Sequence, residues 1–154
     1  MTVEIVDFQT EYQPAFKALN EEWIAAYFEL EPEDYPALND PQGHILAKGG
    51  KILVAILDGA PVGVCALIKL SGSPYDYELA KMAVAPRAQG QGVGYLLGRA
   101  ALRKARELDA RGVYLTTNSA LRSAVRLYQK LGFKTIPGAS PHYKRGDVQM
   151  ALVF

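Results

Sequence analysis

Residues 84–94 read Val-Ala-Pro-Arg-Ala-Gln-Gly-Gln-Gly-Val-Gly and join an apolar segment to a long amphipathic one. Three of the last five are glycine, which is costly at the start of a helix unless the backbone must approach another group closely. The first N–H groups of a helix lack partners and carry a partial positive charge, which suits a phosphate or pyrophosphate. The stretch therefore predicts a strand, a phosphate-binding loop and a helix. A glycine-rich turn that binds nothing is the alternative.

The spacing of these glycines excludes two common nucleotide motifs. The dinucleotide fingerprint G-x-G-x-x-G needs a third glycine where this chain has Tyr95, counted from Gly90, or Leu97, counted from Gly92. The P-loop needs Gly-Lys-Ser/Thr, but valine follows Gly92 and tyrosine follows Gly94. A different kind of phosphate site is predicted.

Apolar periodicity on both sides of the loop predicts a mixed, mostly antiparallel α/β sheet with helices on both faces. The order of elements is β-α-α-β-β-β-α-β-α-β-β, with Asp58-Gly59 as a hairpin turn. The predicted strands are Val3–Asp7, Lys51–Leu57, Pro61–Leu70, Tyr77–Ala85, Val113–Thr117, Phe133–Ile136 and Val148–Phe154. The predicted helices are Glu11–Glu29, Glu31–Asn39, Gly92–Arg111 followed by Gly112 as its terminator, and a last helix capped by Asn118 or Ser119 and ended by Gly132.

Three motifs together resemble one family. Gln89-x-x-Gly92-x-Gly94 matches the acetyl-CoA signature Arg/Gln-x-x-Gly-x-Gly/Ala of the GNAT N-acetyltransferase superfamily. Residues 121–133 end in Leu-Tyr-Gln-Lys-Leu-Gly-Phe, which is similar to a second motif of that family, and residues 147–152 look like its last strand. The resemblance covers most of the chain and implies a GNAT fold.

The resemblance implies acetyl-CoA as co-substrate, with its pantetheine arm between a fourth strand and a fifth strand that splay apart. Arg is commoner in the family where this chain has Gln89, and the change removes one charge. The family's asparagine, seven residues before its tyrosine, is replaced by Leu121; Asn118 lies nearby as a helix cap or a cofactor contact. The implied cofactor contacts are Met82, Ala83, Val84, Gln89, Gly90, Gln91, Gly92, Val93, Gly94 and Asn118.

Two residues are candidates for proton transfer. The resemblance implies that Tyr128 is the general acid that protonates the leaving thiolate, since a phenol with a pKa of about 10 is protonated at neutral pH. Its helical spacing alone favours a core aromatic. Glu78 is a candidate base for the acceptor amine, and a solvated strand-end acid is the alternative. A backbone N–H at or near Val84 is the candidate oxyanion donor, and a β-bulge of the kind common in the family would decide which residue supplies it.

The acceptor residues are the least defined. In this fold the acceptor pocket usually involves the first helices and the last hairpin, which points to Trp23, Tyr27 and His142, with Phe28 and Tyr35 nearby. Core packing is the alternative for the aromatic residues, and plain surface is the alternative for His142. Two scattered histidines and the single Cys65 lack metal-ligand spacing, so no metal is predicted.

Composition indicates a single domain over residues 1–154. The chain is 49% apolar and 21% charged with a net charge of +1, which gives no general attraction to nucleic acid or an anionic membrane. It has no long apolar run and no signal-peptide pattern at the N-terminus, so a cytoplasmic location is predicted. A homodimer is left open.

The predicted function is direct acetyl transfer from acetyl-CoA to a primary amine of a small or amino-acid-like molecule. The alternatives are acetylation of a protein lysine or N-terminus, and a non-catalytic acetyl-CoA sensor.

Overall fold

The computed structural model describes residues 2–137 and 146–154. Its strands are β1 (Val3–Asp7), β2 (Lys51–Leu57), β3 (Ala60–Lys69), β4 (Tyr77–Val84), β5 (Gly112–Thr117), β6 (Lys134–Thr135) and β7 (Val148–Val153). Its α-helices are α1 (Gln13–Tyr27), α2 (Tyr35–Asn39), α3 (Val93–Glu107) and α4 (Arg122–Leu131). The predicted order of elements is confirmed.

The seven strands form one sheet in the order β1-β2-β3-β4-β5-β7-β6. Every neighbouring pair is antiparallel except β4 and β5. The hairpin between β2 and β3 turns at Asp58 and Gly59, which have φ angles of 51° and 77°. Two successive positive φ angles are the geometry of a tight hairpin turn, so the predicted turn is confirmed.

The helices cover both faces of the sheet. A Cβ on Gly63 of β3 would meet Leu97 and Val93 of α3, so α3 packs on that face. Helix α4 lies beside α3, because a Cβ on Gly98 would meet the side chain of Leu131. Residues 62–67 of β3 are all buried, and α1 packs against β3 and β4 to cover the second face.

The sheet splits between its two parallel strands. Strands β4 and β5 pair only at Tyr77 with Val113 and at Glu78 with Tyr114, so none of the described strands pairs with residues 79–84 on that side. Next to the paired end, the Arg111 guanidinium and backbone N–H both bind the Asp76 carboxylate, at 3.0 Å and 2.7 Å. The predicted splay between the fourth and fifth strands is present.

A bulge interrupts β4 at the middle of the split. Val64 pairs with Ala83 and Ala66 with Ala80, so Lys81 and Met82 together face one residue of β3. Lys81 has a φ of 56°, which is uncommon for any residue except glycine. Such a bulge breaks the alternation of side chains along the strand. Consecutive residues of β4, from Glu78 to Met82, therefore line one cavity.

Several helix ends differ from the sequence prediction: α1 spans Gln13–Tyr27 and α2 begins at Tyr35, and the larger differences are in α3 and α4. Helix α3 ends at Glu107, before the predicted Arg111, because the chain turns at Asp109 with a φ of 57°; Gly112 is the first residue of β5 and not a helix terminator. Helix α4 begins after Leu121 without a side-chain cap, so the predicted caps Asn118 and Ser119 are wrong. Gly132 does end α4, with a φ of 107°. No helix within residues 2–137 and 146–154 is long and apolar enough to cross a bilayer.

Candidate active site

The glycine loop leads into α3 through two left-handed residues. Gly90 and Gly92 have φ angles of 78° and 79°, and apart from their chain neighbours no described atom lies within 4 Å of the position that a Cβ would take on either. Leu96 is the first residue whose N–H reaches a helical partner, the Gly92 carbonyl. The N–H groups of the preceding turn are left for another acceptor, and open space lies at both glycines.

Gly94 has a different reason to be glycine. A Cβ there would lie 3.1 Å from a methyl carbon of Leu127 and 3.7 Å from the Met82 sulfur. The third glycine of the motif therefore permits close packing of α3 against α4 and β4, whereas the first two supply the backbone turn. Open space therefore lies beside Gly90 and Gly92, whereas a Cβ on Gly94 would face other side chains.

A groove of about 660 Å³ runs from this loop to the gap in the sheet. We call it the outer groove; it lies between the end of β4, the glycine loop and the start of α4. Six of the predicted cofactor residues line it, namely Met82, Ala83, Val84, Gln89, Gly90 and Val93. The Gln89 amide donates to the Val84 carbonyl at 3.1 Å, so this side chain ties the loop to the strand end and occupies that carbonyl. The Gln91 amide likewise donates to the Arg87 carbonyl at 3.1 Å.

A smaller cavity of about 120 Å³ lies on the other side of the gap. We call it the inner cavity. It is lined by α1, β4, the end of β5 and Gly146. Apart from Trp23 and Tyr128, its polar lining among the described residues comes from Asn20, Glu78, Lys81, Thr116, Thr117 and Asn118. Glu78 is 7% exposed and Asn20 is 2% exposed, so both are held within the protein and not on its surface.

The two spaces share one wall. Residues that line both are Trp23, Phe28, Met82, Leu121, Ala124 and Tyr128. A molecule that lies along the outer groove would thus present its inner end to the cavity beside Tyr128. Apart from the Tyr128 hydroxyl and the Trp23 indole, these side chains are apolar, which limits water at the junction.

Tyr128 is half-buried at this junction. Its ring packs edge-on against Phe133, with centroids 6.1 Å apart. Burial raises the pKa of Tyr128 to about 12, with a smaller contribution from Cys65. The phenol is therefore protonated at neutral pH and can donate a hydrogen bond or a proton, as a general acid must.

The loop from β5 to α4 is held by the segment that precedes β7. The Asp147 carboxylate accepts hydrogen bonds from the Ser119 N–H at 2.8 Å and the Ser119 hydroxyl at 2.7 Å. These bonds lower the pKa of Asp147. The Asn118 side chain accepts from the Ala120 N–H at 2.8 Å, which makes a turn of its own before the helix. Asn118 lines the inner cavity and not the outer groove, where a cofactor contact was expected.

A family model described as the acetyltransferase (GNAT) family matches residues 13–133, which include the loop, the gap and Tyr128. The chain belongs to the GNAT family. The family consists of acetyltransferases, and the motifs at Gln89–Gly94 and Leu121–Phe133 that resembled it lie within the matched residues.

The matches to curated relatives cover only part of each relative. The chain is 35% identical over 111 residues to N-acetylaspartate synthetase of Rattus norvegicus, which covers 72% of the chain and 36% of the relative. It is 38% identical over 80 residues to YjgM of Escherichia coli K12, an uncharacterized N-acetyltransferase, which covers 51% of the chain and 48% of the relative. The chain thus spans about a third to a half of the length of these relatives.

Solved structures share the fold over nearly the whole chain. A GNAT-family acetyltransferase from Staphylococcus aureus Mu50 superposes with a TM-score of 0.85 at 22% identity, covering 97% of this chain and 98% of that one. A phosphinothricin acetyltransferase from Sinorhizobium meliloti, in complex with acetyl-CoA, has a TM-score of 0.79 at 20% identity and covers 99% and 89%. The GNAT fold that the resemblance implied is confirmed.

The predicted acceptor residues lie in different places. Trp23 lines both spaces, whereas Tyr27 lines only the outer groove and is 50% exposed. His142 lies outside the described residues. Within the described ranges no group of three potential metal ligands comes together.

Sequence reasoning missed Asn20, a polar residue that shares the apolar stripe of α1. It stands four residues after Phe16 and four before Ile24, both of which are buried. A lone amide on an apolar stripe was a visible signal.

Proposed function

We propose that the chain transfers the acetyl group of acetyl-CoA directly to the primary amine of a small, amino-acid-like molecule. The observation that carries the proposal is the meeting of the two spaces at Tyr128, with a phosphate-type loop at one end and a buried carboxylate, Glu78, at the other. Direct transfer needs the donor and acceptor to approach from opposite sides of one opening in the sheet.

The outer groove fits the donor. The open N–H groups at Gly90 and Gly92 suit a pyrophosphate, and the strand edge over residues 79–84 offers backbone groups to an amide-containing arm. Acetyl-CoA would supply an activated thioester, so the protein's task is chiefly to position it and to exclude water. Met82, Ala83 and Val84 are the proposed contacts to the arm, and Gln89 to Gly94 those to the pyrophosphate.

Two side chains have complementary roles in the transfer. Glu78 takes a proton from the amine, which must be neutral to attack, and Tyr128 gives a proton to the departing thiolate. A backbone N–H of the bulged strand near Val84 holds the oxyanion. The bulge at Lys81 and Met82 supports this role because it turns backbone groups away from the strand ladder.

The inner cavity favours a small acceptor with a carboxylate. The volume bounded by its described walls is about 120 Å³, which is close to the size of an amino acid. Lys81 is the only lysine or arginine among the described residues that line it. Its backbone has the left-handed conformation of the bulge. An ammonium in that place would attract a carboxylate of the acceptor. The name N-acetylaspartate synthetase, borne by a 35% identical relative, is in line with such an acceptor.

Thiol release from acetyl-CoA tests the proposal. We expect release to depend on added amine, with glycine or L-aspartate better than ethanolamine, which lacks a carboxylate. Lys81→Met should raise the KM for the amino acids about ten-fold, the size of one charge-assisted bond, and leave ethanolamine unchanged. Release with a lysine-containing peptide alone would favour a protein acceptor. Binding of acetyl-CoA without release for any amine would favour a sensor.

A further inference from the structure

Asn20 is the polar exception on the buried face of α1. The side chains before and after it on that face, Phe16 and Ile24, are 0% and 3% exposed, and Asn20 itself is 2% exposed. It also lines the inner cavity, which it shares with Glu78. A leucine at this place would continue the apolar stripe, so packing alone does not account for an amide.

The orientation of the Asn20 amide follows from one hydrogen bond. Its Nδ2 donates to the Phe16 carbonyl at 3.0 Å. A carbonyl can only accept, so the amide nitrogen must face Phe16 and the amide oxygen must face away from it. The Phe16 carbonyl is also the ordinary helical acceptor of the Asn20 backbone N–H, so the helix does not need this extra bond.

The amide oxygen borders the cavity. Among the described residues, no hydrogen bond reaches Asn20 Oδ1, and every fully shielded side-chain nitrogen or oxygen has a partner. An oxygen without a partner is therefore one that touches open space, and the open space beside Asn20 is the inner cavity. A buried acceptor of this kind calls for a donor from a ligand.

We propose that Asn20 Oδ1 binds one N–H of the acceptor's primary amine and thereby aims the nitrogen at the thioester. This inference rests on the proposed function. In the reaction the amine nitrogen bonds to the acetyl carbon, the carbon–sulfur bond breaks, Glu78 receives one amine proton and the thiolate receives the Tyr128 proton. The second hydrogen remains bonded to the nitrogen, and its hydrogen bond to Asn20 Oδ1 persists throughout the reaction.

A neutral amide suits this role better than a second carboxylate would. It accepts the N–H bond and favours the ammonium form, whose nitrogen has no lone pair, less than a charged oxygen would. The bond strengthens as the attacking nitrogen gains positive charge, so it acts most in the transition state. A secondary amine has a single N–H, which the base must remove. Asn20 therefore also selects primary over N-methylated amines.

The experiment compares the best primary amine of the panel with its N-methyl derivative. Asn20→Leu should lower kcat/KM for the primary amine about ten- to one-hundred-fold, the worth of one hydrogen bond to a group gaining charge. It should lower kcat/KM for the N-methyl derivative less than three-fold and leave the KM of acetyl-CoA unchanged. Asn20→Asp, which keeps an oxygen of similar placement, should retain more of the primary-amine activity than Asn20→Leu.

Ala18→Leu, which adds the same side chain to the exposed face of α1, is the matched control and should change neither amine. Equal losses for the two amines, or a parallel rise in the KM of acetyl-CoA, would show a structural role and overturn the inference. If the wild type acetylates no amine, the proposed function fails. Calorimetry of the same amines with CoA-loaded protein then decides Asn20: ten-fold weaker primary-amine binding in Asn20→Leu supports it, and unchanged binding refutes it.

Discussion

Replacing Gly92 by alanine tests the phosphate loop, because it separates backbone strain from ligand binding. Gly92 has a φ of 79° and precedes the first residue of α3. Alanine in this left-handed conformation costs about 1–2 kcal/mol. For a domain of this length, each kcal/mol lowers Tm by roughly 2–4 °C, so Gly92→Ala should melt about 2–8 °C lower than the wild type.

The same substitution should weaken acetyl-CoA binding for a separate reason. Among the described residues other than its two chain neighbours, no atom lies within 4 Å of the new Cβ, so the methyl group enters open space at the start of α3, where we expect the pyrophosphate. Losing one charge-assisted hydrogen bond to the pyrophosphate costs about 1.5–3 kcal/mol, which is about ten- to one-hundred-fold in Kd.

Gly59→Ala is the matched control. Gly59 has a φ of 77°, and its Cβ position is equally empty, but it lies in the β2–β3 hairpin. Thermal melting should show similar losses for both variants, while calorimetry with acetyl-CoA should show weaker binding for Gly92→Ala alone. If the two variants bind acetyl-CoA equally well, the loop does not hold the pyrophosphate and the reasoning from its geometry is refuted.

Three further results are expected. Tyr128→Phe should lower kcat about 10²–10⁴-fold at neutral pH, where the wild-type phenol is protonated because its pKa is raised to about 12; unchanged kcat would remove its role as acid. Glu78→Gln should abolish the acidic limb of the pH profile of kcat/KM, measured with saturating acetyl-CoA, and a limb left in place would assign the base to another group. The pKa of Asp147 is lowered by its bonds to Ser119, so its contribution to stability is present above the usual carboxyl pKa of about 3.9 and is lost as pH falls through the lower folded value. Asp147→Asn should therefore flatten the pH dependence of Tm below about pH 4, and an unaltered acid branch would contradict the assignment.

Local sequence patterns predicted the fold well because the strands and turns that they indicated were consistent with one another along the chain. The alternation at Val3–Asp7 and the apolar run at Lys51–Leu57 have the observed strand bounds. The hairpin turn at Asp58-Gly59 followed from the need for positive φ. The end of α3 could not be read in the same way, because apolar spacing continues beyond Glu107 and the break depends on Asp109 adopting a left-handed backbone.

The site was only partly readable from the sequence, because its residues meet through tertiary packing. The loop and Tyr128 carry motifs, and they could be named in advance. The position of Lys81 depends on a bulge that has no sequence signature. Asn118 lines the inner cavity, and its neighbour Ser119 is bound to Asp147, 28 residues away in the sequence. The roles of these residues remain predictions, as does the cytoplasmic location.

The joint between β4 and β5 has a mechanical consequence. The sheet has two parts, β1–β4 and β5–β7, here called plates, and the two residue pairs between β4 and β5 that join them are here called the vertex. Within each plate the strands keep their partners, β4 with β3 and β5 with β7. Changing the angle between the plates therefore breaks no ladder bond outside the vertex. The Arg111 guanidinium binds the Asp76 carboxylate beside this vertex, two residues before Glu78. The opening can thus adjust to the thickness of the arm inside it while the two plates stay joined.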